Sequence, residues 1–281
     1  MARHFSGLWY CPQTNLPNAL PEEAIMQKKS LGESAFPGLS LLLNLAVLVC
    51  LVVFTAPALA DVDGDASGTP GLTPFEASFS ASIEQGITLN GSAKRILSDQ
   101  NNGVWLYRTS VKSFIANIEE SVILKWQGGQ VIPLRYRYKL SGLLIRDREE
   151  TIDFDWEQNL ATGRYKDKAF EVALNPGVLD PLGYQLQLHQ DIKAGKREME
   201  YRYVRHGRLD TDKFAVINEG LIETPQGEMN ALTVEKLRDE NAKRETLMWF
   251  APNFDHMLVQ LLQTEPDGNR YELNLKSIKQ L

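Results

Sequence analysis

Beyond residue 60 the chain has no cysteine: its two, Cys11 and Cys50, both lie before that point. The rest of the chain therefore has no internal disulfide, no thiol nucleophile and no Cys-ligated metal. An excess of positive charge is missing as well. The net charge is −6, and all of it falls beyond residue 60, because Arg3, Lys28 and Lys29 balance Glu22, Glu23 and Glu33 before it. A net-negative domain lacks the concentrated Lys and Arg that phosphate contacts need, so nucleic acid is not an expected partner. Pro (13) and Gly (20) are too few in 281 residues for a collagen-like or low-complexity chain. There is no G-x-S-x-G, no G-x-G-x-x-G and no Gly-rich phosphate loop, and neither cofactor nor metal is expected.

One long apolar run is present. Leu41 to Phe54 reads LLLNLAVLVCLVVF and is followed by Thr55-Ala56-Pro57-Ala58-Leu59-Ala60. A basic stretch, an apolar core and a small-residue A-x-A site form the pattern of a secretory signal peptide, with cleavage after Ala60. As an uncleaved anchor the segment would only just span a bilayer, with Asn44 and Pro57 inside it. Val49 before Cys50 speaks against a lipoprotein. Met26-Gln27-Lys28-Lys29 resembles the charged start of such a signal, so residues 1–25 read as an over-extended start. The expectation is a periplasmic protein, not integral to the membrane once the signal is removed.

Residues 61–73, DVDGDASGTPGLT, form a polar linker, and one domain is expected over residues 74–281. Phe75, Ala77, Phe79, Ala81 and Ile83 alternate with polar residues, the period of a half-buried strand. The same period recurs at Trp105-Tyr107-Thr109, at Ile132-Leu134-Tyr136-Tyr138-Leu140 and at Ile152-Phe154-Trp156. It returns at Phe170-Val172-Leu174, Met199-Tyr201-Tyr203, Leu232-Val234 and Tyr271-Leu273-Leu275. Asn90-Gly91, Asn102-Gly103, Gly128-Gly129 and Asp267-Gly268 stand between them as hairpin turns. Asn90-Gly91-Ser92 also matches a glycosylation acceptor, but the turn is the preferred reading.

One segment breaks the rhythm. In DPLGYQLQLHQDIKAG, Asp180 can cap a helix, Pro181 suits its first position and Gly195 suits the residue after its end. Tyr184, Leu188 and Ile192 share a face, with Leu182 and Leu186 beside them. The expected fold is mostly β: a long curved antiparallel sheet, a meander shaped as a half-barrel or spiral, with one main amphipathic helix over 180–194.

Candidate chemistry is sparse. Asp153 and Asp155 share one face of a strand, about 6.6 Å apart along the chain, a spacing that could serve an acid–base pair in a hydrolase. Alternation alone explains both as a solvent face, and that reading outweighs the other. His189, His206 and His256 make no metal-ligand spacing and read as solvated or core-satisfied. Leu134 to Tyr138 and Tyr201-Arg202-Tyr203 interleave aromatic and basic residues, yet the pleat sends Tyr and Arg to opposite faces, unlike a stacking platform.

Phe75-Glu76-Ala77, Ile132-Pro133-Leu134 with Tyr136, Phe154-Asp155-Trp156, and Asp180 with Tyr184-Gln185-Leu186 form an ordered series of short motifs. Thr224-Pro225-Gln226-Gly227, then Arg244 with Trp249-Phe250-Ala251-Pro252, continue it. Together, from about residue 74 to the C-terminus, they resemble the bacterial family called domain of unknown function 3108. The resemblance implies an exported, mostly β protein and carries over no reaction and no catalytic residue. More loosely, the architecture resembles the half-barrel of periplasmic lipoprotein carriers. The expected function is a non-enzymatic binding or envelope-maintenance role toward an apolar or amphipathic component such as lipid. A groove between sheet and helix is the expected site, although the same residues allow a self-packed core. Tyr184 on the helix and Trp249 at a strand end are the candidate ligand-binding residues.

Overall fold

A computed structural model describes residues 71–84, 88–143, 146–238 and 243–281. The expected signal segment with its Ala60 site, the expected start at Met26 and most of the expected linker lie outside the described residues. Leu72, within the linker, already packs into the core.

Fourteen strands and one α-helix occur among the described residues. They are β1 (Phe75–Glu84), β2 (Thr88–Asp99), β3 (Val104–Ser113), β4 (Asn117–Gln127), β5 (Gln130–Ser141), β6 (Arg148–Asp155), β7 (Leu160–Tyr165) and β8 (Lys168–Ala173). Then follow the helix α1 (Gly183–Lys193), β9 (Glu198–Arg205), β10 (Arg208–Thr224), β11 (Gly227–Leu237), β12 (Glu245–Ala251), β13 (Met257–Thr264) and β14 (Arg270–Gln280). All fourteen strands form one antiparallel sheet, in the order β8 to β1, then β14 back to β9. The first and last strands pair at its centre, and the sheet's two free edges, β8 and β9, are consecutive in the chain. The connection carrying α1 therefore runs from one edge to the other, and the sheet bends into a nearly closed barrel.

Backbone and side-chain contacts close the seam. Leu179 bridges β9 in parallel, donating to the Arg202 carbonyl and accepting from the Val204 N–H, both at 2.9 Å. At the other end of the seam, the His206 ring stacks on Tyr165 with centroids 3.7 Å apart, and the His206 N–H donates to the Glu150 carboxylate. Gly207 has φ +78 and sits against Phe170, where a Cβ would lie 2.8 Å from the Phe170 Cβ. Only glycine meets both demands.

The helix ends follow the sequence. Asp180 Oδ1 accepts the N–H groups of Leu182 and Gly183, each at 2.9 Å, satisfying two donors of the first turn. The Gly195 N–H returns to the Ile192 carbonyl and the Lys196 N–H to Asp191, the Schellman pattern with Gly195 at φ +85. The apolar stripe packs inward: Leu186, Leu188 and Ile192 are fully buried. The polar face is enclosed too, with Gln185, Gln187, His189 and Asp191 all buried. The helix fills the barrel rather than lying against its outside.

Three of the four expected hairpin dipeptides form turns, with Asn102, Gly103, Gly128, Gly129 and Gly268 at positive φ. Asn90-Gly91 does not. It lies inside β2, where Gly91 pairs with Ala81 on one side and Ser113 on the other. A Cβ there would stand 2.6 Å from the Lys112 carbonyl oxygen, so this glycine serves close strand approach rather than a turn. The face expected for Ile132 and Leu134 is corrected by a bulge. Ile123 pairs with Arg135 and Leu124 with Pro133, leaving Leu134 as the extra residue. Val131 and Pro133 point inward before the bulge, Tyr136 and Leu140 after it.

Ion pairs such as Lys94–Glu76, Lys139–Glu149 and Lys213–Glu200 stand on the outer surface. Phe79, Leu97, Leu124, Tyr136 and Ile152 fill the interior. This is the reverse of a lipid-facing barrel, which turns its apolar residues outward. No described helix is long and apolar enough to cross a membrane.

Candidate functional site

Two features stand out, a polar belt inside the barrel and a cleft at one end. The belt arises from register. Across β2 to β7, Arg95 pairs with Thr109, Thr109 with Glu120, Glu120 with Tyr138, Tyr138 with Glu150, and Glu150 with Tyr165. Arg95, Thr109, Glu120 and Glu150 are all buried, on strand faces otherwise occupied by Leu97, Val122 and Ile152. Arg95 donates to Gln185 of the helix at 2.6 Å, and the Tyr136 hydroxyl donates to Glu120 at 2.6 Å. On the facing wall, Asp212 accepts from the Tyr203 hydroxyl at 2.8 Å and from Lys236 Nζ at 2.5 Å. Asp191 accepts from the Tyr201 hydroxyl at 2.7 Å.

Burial dominates the electrostatics. It raises the Glu120 carboxyl to about 7, against the Tyr136 hydrogen bond and Arg95. It raises Glu150 to about 8, against the His206 N–H, and Asp180 to about 7, against its two capping N–H groups. Raised carboxyl pKa values are one signature of acid–base sites, and buried structural networks produce them too. Access distinguishes the two. Two small spaces among the described residues border this network, a cavity of about 20 Å³ between Arg95, Tyr107, Gln185 and His189, and one of about 10 Å³ between Tyr184, Phe214, Lys236 and Met248. Each has room for about one water. Among the described residues, large aromatic and aliphatic side chains pack on the helix where a groove between sheet and helix was expected.

The open space lies at the end of the barrel where β1 begins and β14 finishes. A cleft of about 610 Å³ is bounded by Phe75, Leu275 and Ile278 of these strands, by Phe254 and Met257, and by the polar side chains of Gln226, Asn253, Asp255, Ser277 and Gln280. Its far wall is the tip of the long β10–β11 hairpin. Gln226 Nε2 there donates to the carbonyls of Leu275, at 3.0 Å, and Lys276, at 2.5 Å. The Lys276 carbonyl is free because β14 bulges there: Ser78 pairs with Ser277 and Phe79 with Leu275.

The cleft's near wall is a strained turn. Pro252–Phe254 make one 3-10 turn, after which Asp255 and His256 both adopt left-handed conformations, with φ 54 and 55. Two such residues in succession carry a conformational cost that their surroundings must offset. The helix supplies the offset. His189 Nε2 donates to the Asp255 carbonyl at 2.8 Å, and Lys193 pairs with the Asp255 carboxylate at 2.6 Å. Burial pushes His189 down to about 4, so the ring is neutral and its proton sits on Nε2.

The residues singled out from sequence fall elsewhere. Tyr184 is buried among Tyr203, Phe214 and Tyr201, with ring centroids at 4.8, 6.0 and 6.1 Å. Trp249 is half-buried on β12, between Thr233 and Gln260. Neither lines the cleft. Asp153 is half-buried on the outer face and held between Arg135 at 2.7 Å and Arg137 at 3.0 Å. Asp155 accepts the N–H groups of Glu157 and Gln158 in the next turn. The two carboxylates thus have separate structural partners, and neither lines the cleft or the two small cavities. Among the described residues, no group of three or more His, Cys, Asp or Glu is arranged to hold a metal ion. The cleft residues were missed because they come from four separate stretches of the chain. The one local signal was Pro252-Asn253-Phe254-Asp255-His256, which follows neither strand nor helix period.

An antiparallel barrel filled by one helix, with a ligand-sized cleft at one end, defines the class: a β-barrel-like protein. Over residues 100–276 the sequence matches the family described as a protein of unknown function, DUF3108, and the chain belongs to it. The crystal structure of a beta-barrel-like protein of domain of unknown function DUF1849 from Brucella abortus has a similar fold. It superposes with a TM-score of 0.51 at 9% identity, covering 75% of this chain and 98% of that one. At that identity the likeness is one of fold alone. A DUF1329 family protein from Desulfovibrio piger, 10% identical over 74% of this chain and 85% of its own, has a TM-score of 0.23 and carries no argument. No curated protein matches the sequence.

Proposed function

We propose that this is an exported, periplasmic binding protein of the cell envelope whose end cleft takes an apolar or amphipathic component. The cleft carries the reading. Its volume of about 610 Å³ lies in the range of small-molecule sites. Phe75, Phe254, Met257, Leu275 and Ile278 offer apolar contact, while Gln226, Asn253, Asp255 and Gln280 offer hydrogen bonds to a polar head group. Phe254 remains 42% exposed, a large ring left uncovered at the mouth. Export rests on the apolar run and the Ala58-Leu59-Ala60 site.

Titration of the mature protein with a fluorescent apolar probe, followed by competition with envelope lipid extract, tests the binding reading. Saturable, competable binding that weakens roughly tenfold in Phe254→Ala supports it, since a buried aromatic contributes about 1.5–3 kcal/mol. Absence of saturable binding, or binding indifferent to Phe254→Ala and Ile278→Asp alike, overturns it. N-terminal sequencing of the exported chain should start at Asp61. Retention with residues 41–60 intact would refute the export proposal.

A further inference from the structure

The cleft is sorted by depth. Phe75, Met257 and Leu275 are buried and form its floor. Six polar side chains stand exposed around its mouth: the amides of Gln226, Asn253 and Gln280, the hydroxyls of Thr73 and Ser277, and the Asp255 carboxylate. An amphiphile therefore enters tail first and leaves its head among these six groups.

The six are rich in acceptors. Gln226 commits its Nε2 to the Leu275 and Lys276 carbonyls, which leaves its Oε1 to offer. Asp255 only accepts, while Thr73, Ser277, Asn253 and Gln280 each donate and accept. Hydroxyl groups complement such a rim, because every hydroxyl brings a donor as well as acceptors. An ionised phosphate or carboxylate brings acceptors alone and draws its strength from cationic partners. Among the described residues, no cation lines the cleft.

Nor does the surrounding charge favour either sign. Lys193 holds Asp255 at 2.6 Å, and Lys94 holds Glu76 of β1 at 2.8 Å. At this end of β14 and of the β10–β11 hairpin stand Lys276 and Lys279 against Glu223 and Glu228, all exposed and none lining the cleft. Glu219, further along β10, is paired with Arg197 at 3.0 Å. Burial lowers His256, beside Asp255, so the ring is uncharged at neutral pH. A charged head of either sign would shed water here and find no unpaired counter-charge on the cleft wall.

We infer that the cleft selects an amphiphile with an uncharged sugar head over phosphate-bearing and amine-bearing amphiphiles of the same tail. The inference rests on the binding reading given above and names its ligand class. Six polar side chains around one mouth are more than a glyceryl head can engage, whereas a sugar carries a hydroxyl on most of its ring carbons. The tail meets Phe75, Met257 and Leu275, and the exposed Phe254 ring covers the junction of tail and head.

Competition against the fluorescent apolar probe tests this with three amphiphiles that share a decyl tail: decyl maltoside, decyl phosphate and decylammonium, all below their micelle-forming concentrations at neutral pH. Decyl maltoside should displace the probe at a concentration roughly tenfold lower than either charged compound. Asn253→Leu with Gln280→Leu should remove most of that advantage while the probe's own affinity is unchanged. Ser277→Lys, which places a cation at the mouth, should bring decyl phosphate ahead of decylammonium. All three positions are exposed, and unchanged circular dichroism certifies the variants' fold. Equal displacement by the three heads, or tighter binding of a charged one, overturns the inference and leaves the binding reading standing. A maltoside advantage that survives Asn253→Leu with Gln280→Leu overturns it as well. Probe that no amphiphile displaces overturns the inference together with the reading beneath it.

Discussion

Tyr136 and Glu120 share a short hydrogen bond, 2.6 Å, deep in the barrel, with the phenol donating to a carboxyl that burial has raised to about 7. They lie near Glu150 and Asp180, raised to about 8 and about 7 by the same cause. The interior thus holds three acidic groups that bind their protons more tightly in the folded chain than in the unfolded one.

This makes stability depend on pH in a stated direction. Unfolded carboxyls titrate near about 4, so from there up to about 8 the folded chain carries the extra protons, and stability falls as pH rises. His189 and His206, lowered to about 4 and about 3 by burial, act in the opposite sense. They favour the folded state above their unfolded value of about 6.5 and weaken it as pH drops below that. Above about 6.5 their contribution levels off, and the carboxyls drive the decline. The melting temperature should decline between pH 6.5 and 8, roughly the span from the unfolded His value to the highest of these carboxyls. Glu120→Gln and Glu150→Gln should each flatten that decline in thermal melts followed by circular dichroism.

Asp180→Ala should destabilise the domain by roughly 2 kcal/mol, because it removes a cap and leaves two buried N–H groups without their acceptor. Asp180→Asn keeps an acceptor oxygen and carries no charge to bury, so its loss should be smaller. Urea denaturation midpoints at neutral pH distinguish the two. Equal losses would place the cost elsewhere than in the cap.

Asp153→Asn and Asp155→Asn should fold normally, each within about 0.5 kcal/mol of the parent. Both carboxylates are on the outer face, and exposed ion pairs such as Asp153 with Arg135 contribute little. A cellular defect in either variant with intact folding would return the hydrolase reading to contention.

His189→Phe should weaken probe binding in the cleft without touching the probe. The substitution keeps an aromatic ring but removes the N–H that holds the Asp255 carbonyl, freeing the left-handed turn beside Phe254. With His189 titrating near about 4, the parent's affinity should not change through that group between pH 6 and 8, roughly two units or more above it. An unaltered affinity in His189→Phe would show that the turn holds its shape without the helix.

Strands, helix and most turns were legible because each depends on backbone geometry over a few residues. Period-two alternation marks a pleat, Asp180 with Pro181 and Gly195 marks helix ends, and Gly128-Gly129 supplies the positive φ that a tight hairpin needs. What tertiary structure alone decided concerns partners. Arg95 and Gln185 meet across 90 residues, and nothing near either one announces the other. Glu120 stands in phase with Ile118 and Val122, yet a charge on an apolar face is tolerable only where register brings a phenol to it. The bulge at Leu134 moved two aliphatic side chains off the expected face, and Asn90-Gly91 became strand because its neighbours left no room for a Cβ. The cleft belongs to the same group, since it forms only where the hairpin tip, the Asp255 turn and the two central strands come together. Local conformation is set by steric rules along the chain. Burial of charge and the opening of a cavity are set by which distant segments share a wall, and only the nearly closed barrel determines that.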